Sequence, residues 1–140
     1  EAVTKASELA LEKGARRAIP LNTSGPFHTE LLAPASNELK EKFVSVNFNE
    51  MQVPVIFNSS AKELESGVSI AQMLEKQVMS SVYFEDSIRY MLENGVDTII
   101  EIGPGKVLSG FIRKIDKTIK TYQVEDQASL EKTLAGLKGE

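Results

Sequence analysis

Apolar positions along the chain follow two periods. Val3, Ala6 and Ala10 recur at helical spacing over residues 1–14, and Gly14 stands where a helix end favours a residue free to take positive φ. Leu32, Ala35, Leu39 and Phe43 form a second helical stripe over about 30–44. Pro34 is tolerable there only because it falls in or near the first turn. Ile70, Met73 and Leu74 mark a helix over 69–78, and another over 83–94 closes at Asn94-Gly95. A helix over 106–116 follows, and a last one, capped by Asp126, carries Leu130, Leu134 and Leu137. Between the helices lie a continuous apolar run, 53–57, which predicts a strand covered on both faces, and a second buried strand over 98–102. Residues 17–21 predict a short strand that Pro20 confines to an edge or an end, and 121–124 a final strand. Helices alternating with strands predict an α/β fold with a parallel sheet flanked by helices.

Composition narrows the function classes. A chain of 140 residues is one ordinary domain. It has no cysteine, which removes disulfides and thiolate metal sites, and no metal site is expected. A net charge of −4 argues against a nucleic-acid binder. No apolar run approaches the roughly 18 residues of a membrane span, and a cytoplasmic protein is expected. The first residue is Glu1, not methionine, and the chain opens inside a helical pattern, so a piece of a longer protein is expected. Basic residues gather at Arg16-Arg17 and again over 106–120 (Lys106, Arg113, Lys114, Lys117, Lys120). A solvated helix face and a landing site for an acidic partner both fit this pattern.

The candidate chemistry is sparse. Gly103-Pro104-Gly105-Lys106 is neither a dinucleotide fingerprint, because Leu108 stands where glycine is required, nor a P-loop. Pro104 also removes a donor that a phosphate cradle would use, so a tight strand-to-helix turn is expected. No serine lies in a Gly-x-Ser-x-Gly elbow, and Ser109, inside a predicted helix, reads as structural. The only histidine, His28, follows the loop breakers Gly25-Pro26 and precedes the second helix. A helix N-terminus there would disfavour an imidazolium, and Phe27 would help exclude water, which suits a proton acceptor. A structural or merely exposed histidine fits the position as well.

Four blocks taken together, Ser24-Gly25-Pro26-Phe27-His28-Thr29, Val53-Pro54-Val55-Ile56-Phe57-Asn58, Gln77, and Glu101-Ile102-Gly103-Pro104-Gly105-Lys106-Val107-Leu108-Ser109-Gly110, resemble the C-terminal portion of the bacterial malonyl-CoA:acyl-carrier-protein transacylases. The resemblance runs over essentially the whole chain, in the same order and spacing. It implies part of an α/β-hydrolase-like parallel sheet with flanking helices over 23–140, and the last helix and strand of a ferredoxin-like small subdomain over 1–22.

It also implies a reaction, malonyl transfer from coenzyme A to the phosphopantetheine thiol of acyl carrier protein through a serine ester, as in fatty-acid biosynthesis. No cofactor beyond the coenzyme A thioester substrate is implied. His28 would be the general base, oriented by the backbone carbonyl of Gln77. Phe27 would crowd the acyl α-carbon and favour malonyl. Asn58 would line the cleft, or equally cap its own loop. Arg16 and Arg17 would face the acidic carrier protein, with Arg113, Lys114 and Lys117 as a further contact. The family's serine, its malonyl-binding arginine and its oxyanion-hole donors fall outside this chain. An enzyme component inactive without the missing N-terminal half, a non-catalytic module that docks the carrier protein, and a fragment without independent role all remain open.

Overall fold

The computed structural model describes residues 1–139. The order of elements is α1 (Ala2–Glu12), a 3-10 turn (Glu30–Leu32), α2 (Ala33–Phe43), α3 (Ile70–Met79), α4 (Phe84–Glu93), β1 (Thr98–Ile102), α5 (Val107–Ile115), β2 (Lys120–Val124) and α6 (Gln127–Lys138). Among the described residues six α-helices accompany one sheet of two parallel strands, paired from Thr98 with Lys120 through Ile102 with Val124. The α5 crossover joins them, as a parallel pair requires.

Helix ends follow local chemistry. At the end of α1 the Ala15 N–H reaches the Ala10 carbonyl at 2.9 Å and the Gly14 N–H reaches Leu11 at 3.0 Å. Gly14 adopts φ +93°, which completes a Schellman motif. Gly95 closes α4 the same way, with φ +86°. Ser69 and Gln72 form a reciprocal capping box at α3, and Asp126 and Ser129 form one at α6.

Several expectations from the sequence are corrected. Residues 17–21 form no strand, and Ile19 and Leu21 are strongly exposed. Residues 53–57 form no strand either, apart from an isolated antiparallel bridge between Phe57 and Lys62. Val53 stays 67% exposed, far from the double coverage its neighbours in sequence suggest. A strand exists only through its ladder, and beyond that single bridge no described segment pairs with either run. The helix expected over 30–44 divides because Pro34 has no N–H to give the Glu30 carbonyl. That carbonyl takes the Ala33 N–H instead, closing a 3-10 turn before α2 begins. On α2 the residue turned inward is Ser36, at 5% exposure, while Ala35 is exposed. On α6 the leucines at 130, 134 and 137 are left exposed, and Thr133 is the buried residue.

The core sits where α4 and α5 meet the sheet. Ile88, Ile112 and Ile119 are buried against one another, with Phe84, Met91, Leu92, Ile99 and Ile115 packed around them. The α2–α3 pair makes a second contact, pinned by the Ser36 hydroxyl donating to the Glu75 carbonyl at 2.9 Å.

Candidate active site

His28 sits in the loop between α1 and the 3-10 turn, at φ +61°. A side chain with a Cβ rarely adopts this region, so the surrounding loop must hold it there. The Thr29 hydroxyl does part of this by donating to the Pro26 carbonyl at 2.7 Å. The Phe27 ring folds back on Gly25, where an added Cβ would lie 3.5 Å from two ring atoms. The imidazole is thereby turned toward α3. Its Nδ1 lies 3.1 Å from the Gln77 carbonyl oxygen, across 49 positions of sequence. A carbonyl oxygen can only accept, so Nδ1 is the donor, and in the neutral ring this leaves the lone pair on Nε2.

Gln77 offers that oxygen because it lies in the last turn of α3, where carbonyls have no partner further along the helix. The Ser80 N–H approaches the same oxygen at 3.3 Å. The pair is open to solvent: His28 is exposed and Phe27 is 59% exposed, so Phe27 shields little. The α-helix begins at Ala33, beyond the 3-10 turn, and a helix end acts on charge only within about one turn.

The remaining expected site residues are spread over the surface. Asn58 is half-buried, and its carbonyl, not its side chain, accepts the Tyr83 N–H at 2.9 Å, tying its loop to the start of α4. Arg16 and Arg17 are exposed just beyond α1. Arg113 and Lys114 leave α5 about 100° apart, as successive helical positions do. The Arg113 Nε donates to the Thr121 hydroxyl at 3.1 Å, whereas the Lys114 Nζ lies 5.8 Å from the centre of the Phe111 ring. Lys117 is exposed beyond the end of α5. The structure therefore brings His28 and Gln77 together and leaves the basic residues apart.

Glu101, at the carboxyl end of β1, is a residue whose work the sequence pattern hid. Its carboxylate accepts the Leu108 N–H at 3.1 Å, the Ser109 N–H at 2.8 Å and the Ser109 hydroxyl at 2.6 Å. The Ser109 hydroxyl, then its N–H, hold the Glu101 pKa below its ordinary 4.5. Glu125 accepts the Gly105 N–H at 2.9 Å. Two carboxylates thus fill the glycine turn and the start of α5, where a phosphate cradle would have needed free donors. The one available signal was Lys106 at the N-cap of α5, a residue with no oxygen to cap with. Among the described residues no group of three or more His, Asp or Glu could hold a metal ion, and no helix is long and apolar enough to cross a membrane.

The fold resembles that of transacylases. A crystal structure of the malonyl CoA-acyl carrier protein transacylase from Clostridium perfringens superposes with a TM-score of 0.90 and 42% identity, covering 99% of this chain and 43% of that one. A type II PKS acyl-carrier protein in complex with its malonyl-transacylase superposes at 0.85 and 33% identity, covering 99% and 44%. The malonyl CoA-acyl carrier protein transacylase of Bacillus subtilis is 47% identical over 138 residues, 99% of this chain and 44% of that protein. No family model matches the chain. The chain matches the C-terminal portion of the bacterial malonyl-CoA–acyl carrier protein transacylases, and spans less than half the length of the relatives it matches.

Proposed function

We propose that this chain is the general-base portion of a malonyl-CoA–acyl carrier protein transacylase of fatty-acid biosynthesis, acting in the cytoplasm. The observation that carries the reading is the 3.1 Å contact between His28 Nδ1 and the Gln77 carbonyl, which leaves Nε2 as the acceptor. In this reading Nε2 takes the proton of a serine hydroxyl as that oxygen attacks the malonyl thioester, and returns it to the departing coenzyme A thiolate. It then takes the proton of the phosphopantetheine thiol, whose sulfur attacks the serine ester, and returns it to the serine oxygen as the carrier leaves with the malonyl group. The Gln77 carbonyl, at the negative end of α3, suits the imidazolium that forms in between.

The serine is not supplied by these 140 residues. No serine here lies in a nucleophile elbow, and the hydroxyl of Ser109 is spent on Glu101. The chain alone is inactive in this reading, and the N-terminal half of the same protein is its obligatory partner. Residues 1–22 are the end of a ferredoxin-like small subdomain, and 23–140 close an α/β-hydrolase-like one. Phe27 and Asn58 line the acyl cleft, and Arg16, Arg17, Arg113, Lys114 and Lys117 face the acidic carrier protein. The exposure of Arg16 and Arg17 also favours a second reading, a chain that docks the carrier protein without catalysis. Incubation with labelled malonyl-CoA, carrier protein and the separately expressed N-terminal half decides. Transfer that needs both halves supports the enzyme, and transfer that persists in His28→Ala overturns it. Salt-sensitive carrier binding by this chain, with no transfer in the presence of both halves, leaves the docking module.

A further inference from the structure

A cavity of about 480 Å³ lies between α5, β2 and α6, and it shares no residue with the His28–Gln77 pair. Three cations line it, Lys106, Arg113 and Lys132, and no Asp or Glu does. Among the described residues the only ion pair is Arg89 with Glu85, so none of the three is held in an ion pair. The Glu101 and Asp126 carboxylates bond to the lining hydroxyls of Ser109 and Ser129, at 2.6 Å each, and pair with none of the three cations. Like charges around one concavity raise its potential and attract a counter-ion of matching charge.

The walls are built and not merely charged. The bond from Arg113 Nε to the Thr121 hydroxyl fixes the guanidinium and leaves its remaining N–H groups for a ligand. Thr133 is 4% exposed, yet its hydroxyl makes only a 3.5 Å contact with the Gln123 carbonyl, at the limit of a hydrogen bond. Room comes from Gly110, where an added Cβ would meet nothing within 4 Å. A carboxylate would offset one charge of three, whereas a phosphomonoester dianion offsets two and matches the arginine fork. The volume exceeds that of a lone ion and lies within the range of small-molecule pockets.

We propose that this cavity binds the phosphate group of a small phosphorylated molecule, held by Arg113, Lys106 and Lys132. The reading is independent of the transacylase function. Its test is titration of the 140-residue chain with inorganic phosphate at constant ionic strength, followed by amide NMR. Saturable shifts at Thr121, Gln123 and Thr133, with affinity lowered at least about tenfold in Arg113→Gln and in Lys132→Gln, are expected. Gly110→Met keeps all three charges but fills the space, and is expected to weaken phosphate as well. Absence of saturation by about 10 mM phosphate overturns the proposal. So does binding that survives both charge variants, or a Gly110→Met chain that binds as the parent does, since the cations would then act from the open surface.

Discussion

The Ser36 hydroxyl on α2 and the Glu75 carbonyl on α3, 2.9 Å apart, hold the two helices in register just before the carbonyl that meets His28. Glu75 and Gln77 are two residues apart on α3, and His28 and Ser36 lie on the same short stretch that packs against it. Ser36→Ala removes the more buried of two bonds between these segments. It is expected to lower stability by about 1 kcal/mol, the ordinary worth of one hydrogen bond with a half-buried partner. The check is urea unfolding of the variant against the parent. An unchanged midpoint would mean that the register is set by packing alone.

Glu101 makes the acid limb of stability predictable in sign. Folding lowers its pKa from 4.5, chiefly through the Ser109 hydroxyl, so the folded chain binds this proton more weakly than the unfolded chain does. The contribution is complete above 4.5 and is lost as pH falls from there through the lowered folded value. Asp116 and Asp126 are lowered from 3.8 by Thr118 and Ser129 and act over a more acid window. Glu101→Gln keeps the shape but not the charge. Its unfolding midpoint is expected to fall below the parent's at about pH 7, with the gap closing as pH drops below 4.5. A gap of constant size across that window would show that the charge is not what Ser109 and Leu108 recognise.

Two glycines in the same region should respond oppositely to alanine. A Cβ on Gly136 would lie 2.6 Å from Tyr122 Cε1, and the Tyr122 hydroxyl is itself bonded to the Gly136 carbonyl at 3.0 Å. The ring cannot retreat without breaking that bond, so Gly136→Ala is expected to cost about 1–3 kcal/mol, as overpacking does. A Cβ on Gly110 meets nothing within 4 Å, and its position inside α5 is one where glycine is a poor helix former. Gly110→Ala is expected to stabilise by roughly 0.5–1 kcal/mol. Thermal unfolding of the pair reads both signs in one experiment.

What was legible in the sequence was what depends on neighbours in sequence. Gly14, Gly95 and Asp126 end or begin helices through bonds that span a few residues, so their types announce their roles. The strand expected over 53–57 misled because an apolar run reports a tendency to be buried, not a partner to pair with. Ser36 was hidden because a hydroxyl among apolar residues carries no sign of the carbonyl it will meet 39 positions later. The contact of His28 with Gln77 was reachable only through the family resemblance, since no local rule joins positions 49 apart. Charge counting grouped Arg113 with Lys114, whereas the fold turns Arg113 to a cavity that Lys132 also lines, a residue no linear pattern singled out.

His28 is the position where stability and activity should separate. Its φ of +61° costs a residue with a Cβ about 1 kcal/mol, and glycine nothing. His28→Gly is therefore expected to be more stable than His28→Ala by about that amount, although both lack the ring. In the enzyme assembled with its N-terminal half, both are expected to lose about 10²- to 10⁴-fold in malonyl transfer, the usual worth of a general base. Gln77→Ala changes the side chain but not the carbonyl that Nδ1 meets, and should keep transfer close to the parent's. Measuring unfolding midpoints and transfer rates on the same three variants tests the assignment. A rate that followed stability across the set, with Gln77→Ala as impaired as His28→Gly, would place the function of this loop in its backbone and not in its imidazole.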